Sequence, residues 1–197
     1  RVDAPGDWKT VYNAIDFSKF QVTLELNVEE SPLIFLGRIE RIKGCHTAIE
    51  VAKAKGKKLI IAGNISKLPE EILYFKSEIE PHIDGDTIQF VGEVDDIRKN
   101  KLLGKALALL MPIEWNEPFG IVMIEAMACG TPVVAFPLGS VPEVIDEGVT
   151  GFIVKDKNGM KDAVDKVNTV KRELCRETAE KRFDVSVIAS QYLNLHN

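Results

Sequence analysis

From Leu33 onward, short apolar runs alternate with longer amphipathic stretches, and that alternation admits few folds. Runs such as Leu33-Ile34-Phe35-Leu36 and Leu107-Ala108-Leu109-Leu110-Met111 are apolar at every position, whereas half-exposed antiparallel strands alternate apolar and polar residues. Strands buried on both faces and separated by helical stretches specify a parallel sheet covered by helices on both sides, an α/β fold. Strands are expected near 33-36, 58-62, 87-91, 107-111, 132-135 and 152-154, with helices near 44-55, 69-82, 95-104, 120-129, 141-147 and 158-170. The length of 197 residues suits one substantial core, and no long linker, repeat or low-complexity stretch marks a boundary after about residue 20.

The two ends read differently. Residues 1-32 carry Trp8, Val11, Tyr12, Ile15, Phe17 and Phe20 without a sustained period, which reads as an entry segment packed on the domain. Near the other end the helical pattern breaks at Phe183-Asp184, where Asp184 can cap a last helix over 184-197. Val185, Ile188, Tyr192 and Leu195 share one apolar stripe of that helix, which needs cover either from this domain's own core or from another surface. The sequence begins without Met, so a longer protein is expected.

A net charge of -5 argues against a general nucleic-acid or anionic-membrane surface and favours small ligands. The three cysteines, Cys45, Cys129 and Cys175, are too few and too scattered for a disulfide framework or a paired metal site. No apolar run is long enough to span a bilayer, no signal pattern opens the sequence, and the expected location is the cytoplasm.

The chemistry concentrates between Asn116 and Gly130, where two carboxylates, a turn and a helix start fall together. Pro118 and Gly120 flank Phe119 at the end of a strand, and Ile121 opens a buried helix that carries Glu125. Glu117 lies on the loop before it. Both acids face one crevice only if the helix N-terminus points into it, and that end of a helix favours anions and sugar hydroxyls. By itself Glu125 reads as a first-turn helix acid and Glu117 as an exposed loop acid. Arg38 and Lys43 follow the first strand, with Gly37 giving the backbone room to turn and Gly44 opening the next helix. Alone they read as solvated surface cations. Gly63 begins a second loop at the carboxyl edge of the sheet, where ligands of open α/β sheets sit. Glu143, after Pro142, reads as a first-turn helix acid, and Asp95-Asp96 as a cap with its first-turn neighbour. His46, His82 and His196 have no partner at metal-ligand spacing. A nicotinamide-dependent reading fails, because Gly37-Arg38-Ile39-Glu40-Arg41-Ile42-Lys43-Gly44 lacks the G-x-G-x-x-G fingerprint.

The stretch E-P-F-G-I-V-M-I-E-A-M-A-C-G-T-P-V-V-A, with seven residues between Glu117 and Glu125, resembles the E-x7-E signature of retaining glycosyltransferases of family 4. F-L-G-R-I-E-R-I-K-G at 35-44 and G-S-V-P-E-V-I-D-E-G-V-T-G-F-I-V at 139-154 extend the likeness in the family's order. The resemblance implies one Rossmann-like half of a GT-B fold, the C-terminal, donor-binding domain over 33-183. The helix of 184-197 would cross to an absent N-terminal domain. It further implies a hexosyltransferase that takes a nucleoside diphosphate sugar, UDP favoured and GDP next. The acceptor, a glycan, lipid or small molecule, is held by the absent domain, as is any peripheral membrane attachment. Residue by residue, it places Arg38 and Lys43 on the donor diphosphate beside Gly37, Glu125 on the ribose, and Glu117 on the transferred sugar. Backbone N-H groups of Phe119, Gly120 and Ile121 face the sugar or distal phosphate. The catalytic set is then Glu117, Arg38 and Lys43, with no cofactor and no metal, because the two cations neutralise the leaving group. Arg41 is expected to point outward. Two departures stand out. Ala14 replaces a customary Gly, which would strain a turn of positive φ, and Gly63-Asn64-Ile65-Ser66 lacks a further Gly, so contacts of Asn64 and Ile65 with the base stay open. The alternatives are a binding module without turnover and another GT-B enzyme such as a sugar-nucleotide epimerase.

Overall fold

The computed structural model describes residues 8-195. Six strands, β1 (Leu33–Leu36), β2 (Leu59–Ala62), β3 (Ile88–Gly92), β4 (Ala108–Met111), β5 (Val133–Ala135) and β6 (Gly151–Ile153), form one sheet in the order β3-β2-β1-β4-β5-β6. Every pairing is parallel, with Leu33 opposite both Leu59 and Ala108. The all-apolar strands are buried on two sides because successive residues face opposite cores. Ile34, Leu109 and Val133 pack with α4 (Ile121–Ala128) and α7 (Arg172–Phe183). Leu33, Phe35, Leu59 and Leu110 pack with α1 (Cys45–Ala54) and α6 (Lys157–Val164). The strand order reverses between β1 and β4, and in open α/β sheets the ligand crevice lies outside the carboxyl ends of the strands at such a point.

The helices depart from expectation where a local group competes with the helical bond. The stretch 69-82 is α2 (Pro69–Tyr74), then a π turn (Phe75–Ile79), then a 3-10 turn (Glu80–His82) that contains Pro81, which has no N-H to give. α3 (Asp96–Lys105) is capped by Asp95, which accepts from the Arg98 N-H at 2.7 Å. α5 is only Val141–Val144, because the Thr150 hydroxyl takes the N-H of Asp146 at 2.9 Å and the loop folds back on itself. α6 stops at Val164 and is followed by a 3-10 turn (Val167–Thr169).

In the entry segment, Phe17 is wholly buried among α4 and α7 side chains. Ile15 bridges to the α7-α8 junction through Ile15 N-H to Phe183 O (3.2 Å) and Val185 N-H to Ile15 O (3.0 Å). Among the described residues only glycines have positive φ, so the strain expected at Ala14 does not arise. The first seven residues lie outside those described. α8 (Val185–Asn194) buries Ile188 alone, while Val185, Tyr192 and Leu195 stand about half exposed, so most of its stripe is not covered by this domain's core.

Asp184 caps α8 and also ties down the entry segment. It accepts from the Ser186 N-H at 2.9 Å, the Ser186 hydroxyl at 2.5 Å and the Phe17 N-H at 3.2 Å. The Ser186 hydroxyl and N-H hold its carboxyl below the usual range. A depressed carboxylate stabilises the fold above its unfolded value, and that contribution is lost as pH falls through its folded value. Asp184→Ala is therefore expected to cost about 1 to 2 kcal/mol at neutral pH. In urea titrations the deficit relative to the parent should shrink progressively as pH falls below the ordinary Asp value of about 3.9.

Candidate functional site

A cavity of about 340 Å³ opens over the carboxyl ends of β1 to β4, with Gly37 and Arg38, Gly63 and Asn64, and Glu93 and Val94 on successive loops. Its far wall is the first turn of α4, Gly120, Ile121 and Val122, with Glu125 one turn on. The unpaired N-H groups of that turn and its partial positive charge make this wall suited to an anion. The floor requires a bare backbone. A Cβ on Gly63, at φ 146°, would lie 1.8 Å from the Gly37 carbonyl oxygen.

Lys43 ends a 3-10 turn (Arg41–Lys43) and reaches into the cavity, where its Nζ lies 2.5 Å from Glu117 Oε2. Both side chains are largely buried, so Glu117 is not the solvated loop acid that its position before a proline suggested. The Trp115 indole N-H donates to the same Oε2 at 3.1 Å. The Lys43 ammonium also stands 4.5 Å from the centre of the Trp115 ring. The loop bearing Glu117 is clamped from behind. Ser140 N-H donates to Glu117 O (2.9 Å), and Ser140 Oγ donates to Phe119 O (2.7 Å). A Cβ on Gly139, at φ 60°, would fall 2.2 Å from Glu117 O.

Arg38 lines the cavity and remains more than half exposed, with one nitrogen 3.0 Å from Glu40. Arg41 turns away, as expected, to pair with Glu78 and cover the Tyr74 ring at 4.7 Å. Gly120 and Ile121 line the cavity, but the Phe119 side chain is buried against Tyr12 and Phe183. Asn64 reaches the cavity, whereas Ile65 bridges to Ile39 and packs into the core.

Glu125 meets a residue that sequence reasoning passed over. Lys99 Nζ, from α3, lies 2.6 Å from Glu125 Oε1 and 3.0 Å from Asp96. Burial pulls the Lys99 ammonium down in pKa, but the carboxylates of Glu125 and Asp96 outweigh it and the net shift is upward. The ammonium therefore stays charged at neutral pH and balances the acid inside the crevice. The signal that could have found Lys99 is the position of α3 just beyond the carboxyl end of β3. Glu93 and Val94 carry the same signal.

Glu143 sits in the first turn of α5 and accepts from the Tyr12 hydroxyl at 3.0 Å beside a second cavity that includes Glu117. His46 lies on α1 between Glu114 (3.3 Å) and the Tyr74 hydroxyl (2.9 Å), and His82 Nδ1 lies 2.8 Å from Lys53 Nζ. His196 lies outside the described residues. Among the described residues no three His, Cys, Asp or Glu side chains group to hold a metal ion, and no helix is long and apolar enough to cross a membrane.

A 3-2-1-4-5-6 parallel sheet with cations and a helix N-terminus converging at its switch point defines a Rossmann-like domain of the kind that makes up half of a GT-B fold. The chain belongs to the glycosyl transferases group 1, whose family model matches residues 16–182. It is 28% identical over 96% of its length to N-acetyl-alpha-D-glucosaminyl L-malate synthase of Bacillus anthracis, of which it covers 53%. A 41.2 kDa protein from the cps region of Klebsiella pneumoniae is 29% identical over 95% of the chain, which covers 54% of it. Among solved structures, sucrose-phosphate synthase from Thermosynechococcus elongatus superposes with a TM-score of 0.82 at 25% identity, over 98% of this chain and 52% of that one. Anabaena Alr3699/HepE in complex with UDP superposes at 0.80 and 23% identity, over 95% and 56%. The chain thus spans about half the length of the relatives it matches.

Proposed function

We propose that this chain is the donor-binding half of a retaining glycosyltransferase that moves a hexose from a nucleoside diphosphate sugar to an acceptor held by a second domain. The observation that carries the reading is the joining of Lys43 and Glu117 at the N-terminus of α4, with Glu125 one turn further along the same cavity wall. The diphosphate lies at the Gly37 to Lys43 loop and the first turn of α4. There the Lys43 ammonium, the Arg38 guanidinium and the backbone N-H groups of Gly120 and Ile121 face the charge that develops as the glycosidic bond breaks. Preorganised donors of this kind stabilise the departing diphosphate more than the ground state. Glu117 bonds the sugar's hydroxyls or balances positive charge at its anomeric carbon, and Glu125, paired with Lys99, accepts from the two ribose hydroxyls. These fixed cations do the work of a divalent metal, so binding is expected to be metal-independent. UDP is favoured and GDP is next, and a cytoplasmic location fits such donors.

A second reading, a module that holds nucleotide without turnover, is favoured for this chain alone because it spans only about half the length of the relatives it matches.

The two glutamates separate the roles. Glu125→Ala is expected to lower the preference for a ribonucleoside diphosphate over its dideoxy form by about tenfold, the worth of one charged hydrogen bond. Glu117→Ala should leave that preference intact and weaken the nucleotide sugar relative to the free nucleotide. Competition binding with the ribonucleoside diphosphate, its dideoxy form and the nucleotide sugar measures both, and identical behaviour of the two variants would refute the division of roles.

A further inference from the structure

We infer that Trp115 is a positioning residue that sets the leaving-group cation and the sugar-facing acid together. The inference rests on the donor-binding reading above. Trp115 is half-buried and does not line the cavity, so it reaches a ligand only through its neighbours. It touches both halves of the Lys43-Glu117 pair by different chemistry. The indole N-H donates to Glu117 Oε2 at 3.1 Å, and the face of the ring holds the Lys43 ammonium 4.5 Å from its centre.

These contacts matter because Lys43 and Glu117 have competing preferences. Unaided, Lys43 Nζ at 2.5 Å satisfies Glu117 and Glu117 satisfies Lys43. An arriving diphosphate must draw the ammonium away from the carboxylate. A carboxylate left with no donor beside a second anion would turn toward water. The indole N-H supplies a fixed donor that does not leave with Lys43, and the aromatic face gives the ammonium a resting place that accommodates a small shift. Glu117 therefore keeps its orientation toward the sugar while Lys43 serves the phosphate.

The loop is also fixed in height. Glu114 N-H donates to Ile42 O at 2.8 Å, which ties the residue before Trp115 to the turn bearing Lys43. His46 Nε2 lies 3.3 Å from the Glu114 carboxylate and adds a second tie to α1. Trp115 thus stands at the crossing of the 113-117 loop and the 41-43 turn, where a single side chain can govern the spacing of the phosphate and sugar subsites. A tryptophan at this crossing is required by its two functions jointly, since phenylalanine offers only the face and a glutamine only the donor.

The test compares Trp115→Phe and Trp115→Leu with the parent chain by calorimetric titration of UDP, UDP-glucose, GDP and GDP-mannose. The quantity read is the ratio of the dissociation constants of free nucleotide and nucleotide sugar for the pair that binds. Trp115→Phe keeps the ring under Lys43 and loses the N-H. It is expected to hold free nucleotide within about twofold of the parent, while the ratio falls by about fivefold or more. Trp115→Leu loses both contacts and should also weaken free nucleotide by about twofold to fivefold. A general loosening of the loop would instead weaken both ligands equally in both variants, leaving the ratio unchanged, and that result overturns the inference. An unchanged ratio in Trp115→Phe with parental affinity overturns it too. If the parent chain binds neither pair, the donor-binding reading itself fails, and the inference falls with it.

Discussion

Arg172→Met is expected to lower the stability of the fold by about 3 to 5 kcal/mol, with the melting temperature down by about 10 °C. The guanidinium of Arg172 is mostly buried and, among the described residues, pairs with no carboxylate. It donates instead to the carbonyls of Thr23, Ala106, Gly104 and Cys129 and to the Thr131 hydroxyl. These acceptors come from the entry segment, the end of α3, the end of α4 and the loop between α4 and β5, and Arg172 holds all of them at one point. Burial pulls its pKa down to about 10, which still leaves it charged at neutral pH. Arg176, one turn along α7, donates to Ala128 O and to the carbonyls of Phe17 and Phe20. Two cations therefore sit at the negative end of the helix whose positive end faces the cavity. Methionine fills much of the volume but removes the guanidinium donors from the Thr23, Gly104 and Ala106 carbonyls, each at a cost of about 1 to 3 kcal/mol where water does not reach, while Cys129 O keeps the Thr23 N-H at 3.3 Å. Lysine offers one compact ammonium in place of a planar fork and should recover less than half of the loss. Thermal or urea unfolding checks both variants, and a Met variant within about 1 kcal/mol of the parent would show that water replaces the guanidinium.

Lys43→Ala is expected to weaken nucleoside diphosphate binding by about 1.5 to 3 kcal/mol, a factor of roughly ten to one hundred and fifty. Two effects add. In the proposed complex the ammonium's bond to the diphosphate would be lost, and Glu117, deprived of its 2.5 Å partner, would stand as an uncompensated carboxylate beside an anionic ligand. Arg38→Ala should cost less, because Arg38 is more than half exposed and already pairs with Glu40, so solvent and Glu40 share its charge. Titration of each variant with the nucleotide that the parent binds measures the difference. Affinity equal to the parent's in Lys43→Ala would remove Lys43 from the diphosphate site.

The sheet was legible because its strands are buried on both faces and announce themselves as continuous apolar runs. All six helical stretches, from 44-55 to 158-170, start within a residue of expectation, while those at 69-82, 141-147 and 158-170 end earlier than expected, at Tyr74, Val144 and Val164. Helix ends were harder. The 3-10 turn at Glu80–His82 and the early stop of α5 depend on Pro81 and on Thr150, whose effects on the backbone no periodicity records. Glu117, Lys43 and Glu125 could be named from their spacing and their likeness to a family motif. Their partners could not, because Lys99 is 26 residues from Glu125, and only the docking of α3 beside α4 brings the two together. Trp115 is two residues from Glu117, near enough to be seen, but an aromatic residue before a turn reads as packing until its N-H is found on the carboxylate. The apolar stripe of α8 was visible and its cover was not, since one side chain of the four is buried and the others face outward.

The donor-binding reading is tested most directly by isothermal titration calorimetry of this chain with UDP, GDP and ADP, each with and without EDTA. The expected result is saturable binding of one of the three at one site, unchanged by EDTA and strongly weakened in Lys43→Ala. Heats no larger than dilution for all three nucleotides would contradict the reading, and binding that disappears in EDTA would contradict its reliance on Lys43 and Arg38 in place of a metal.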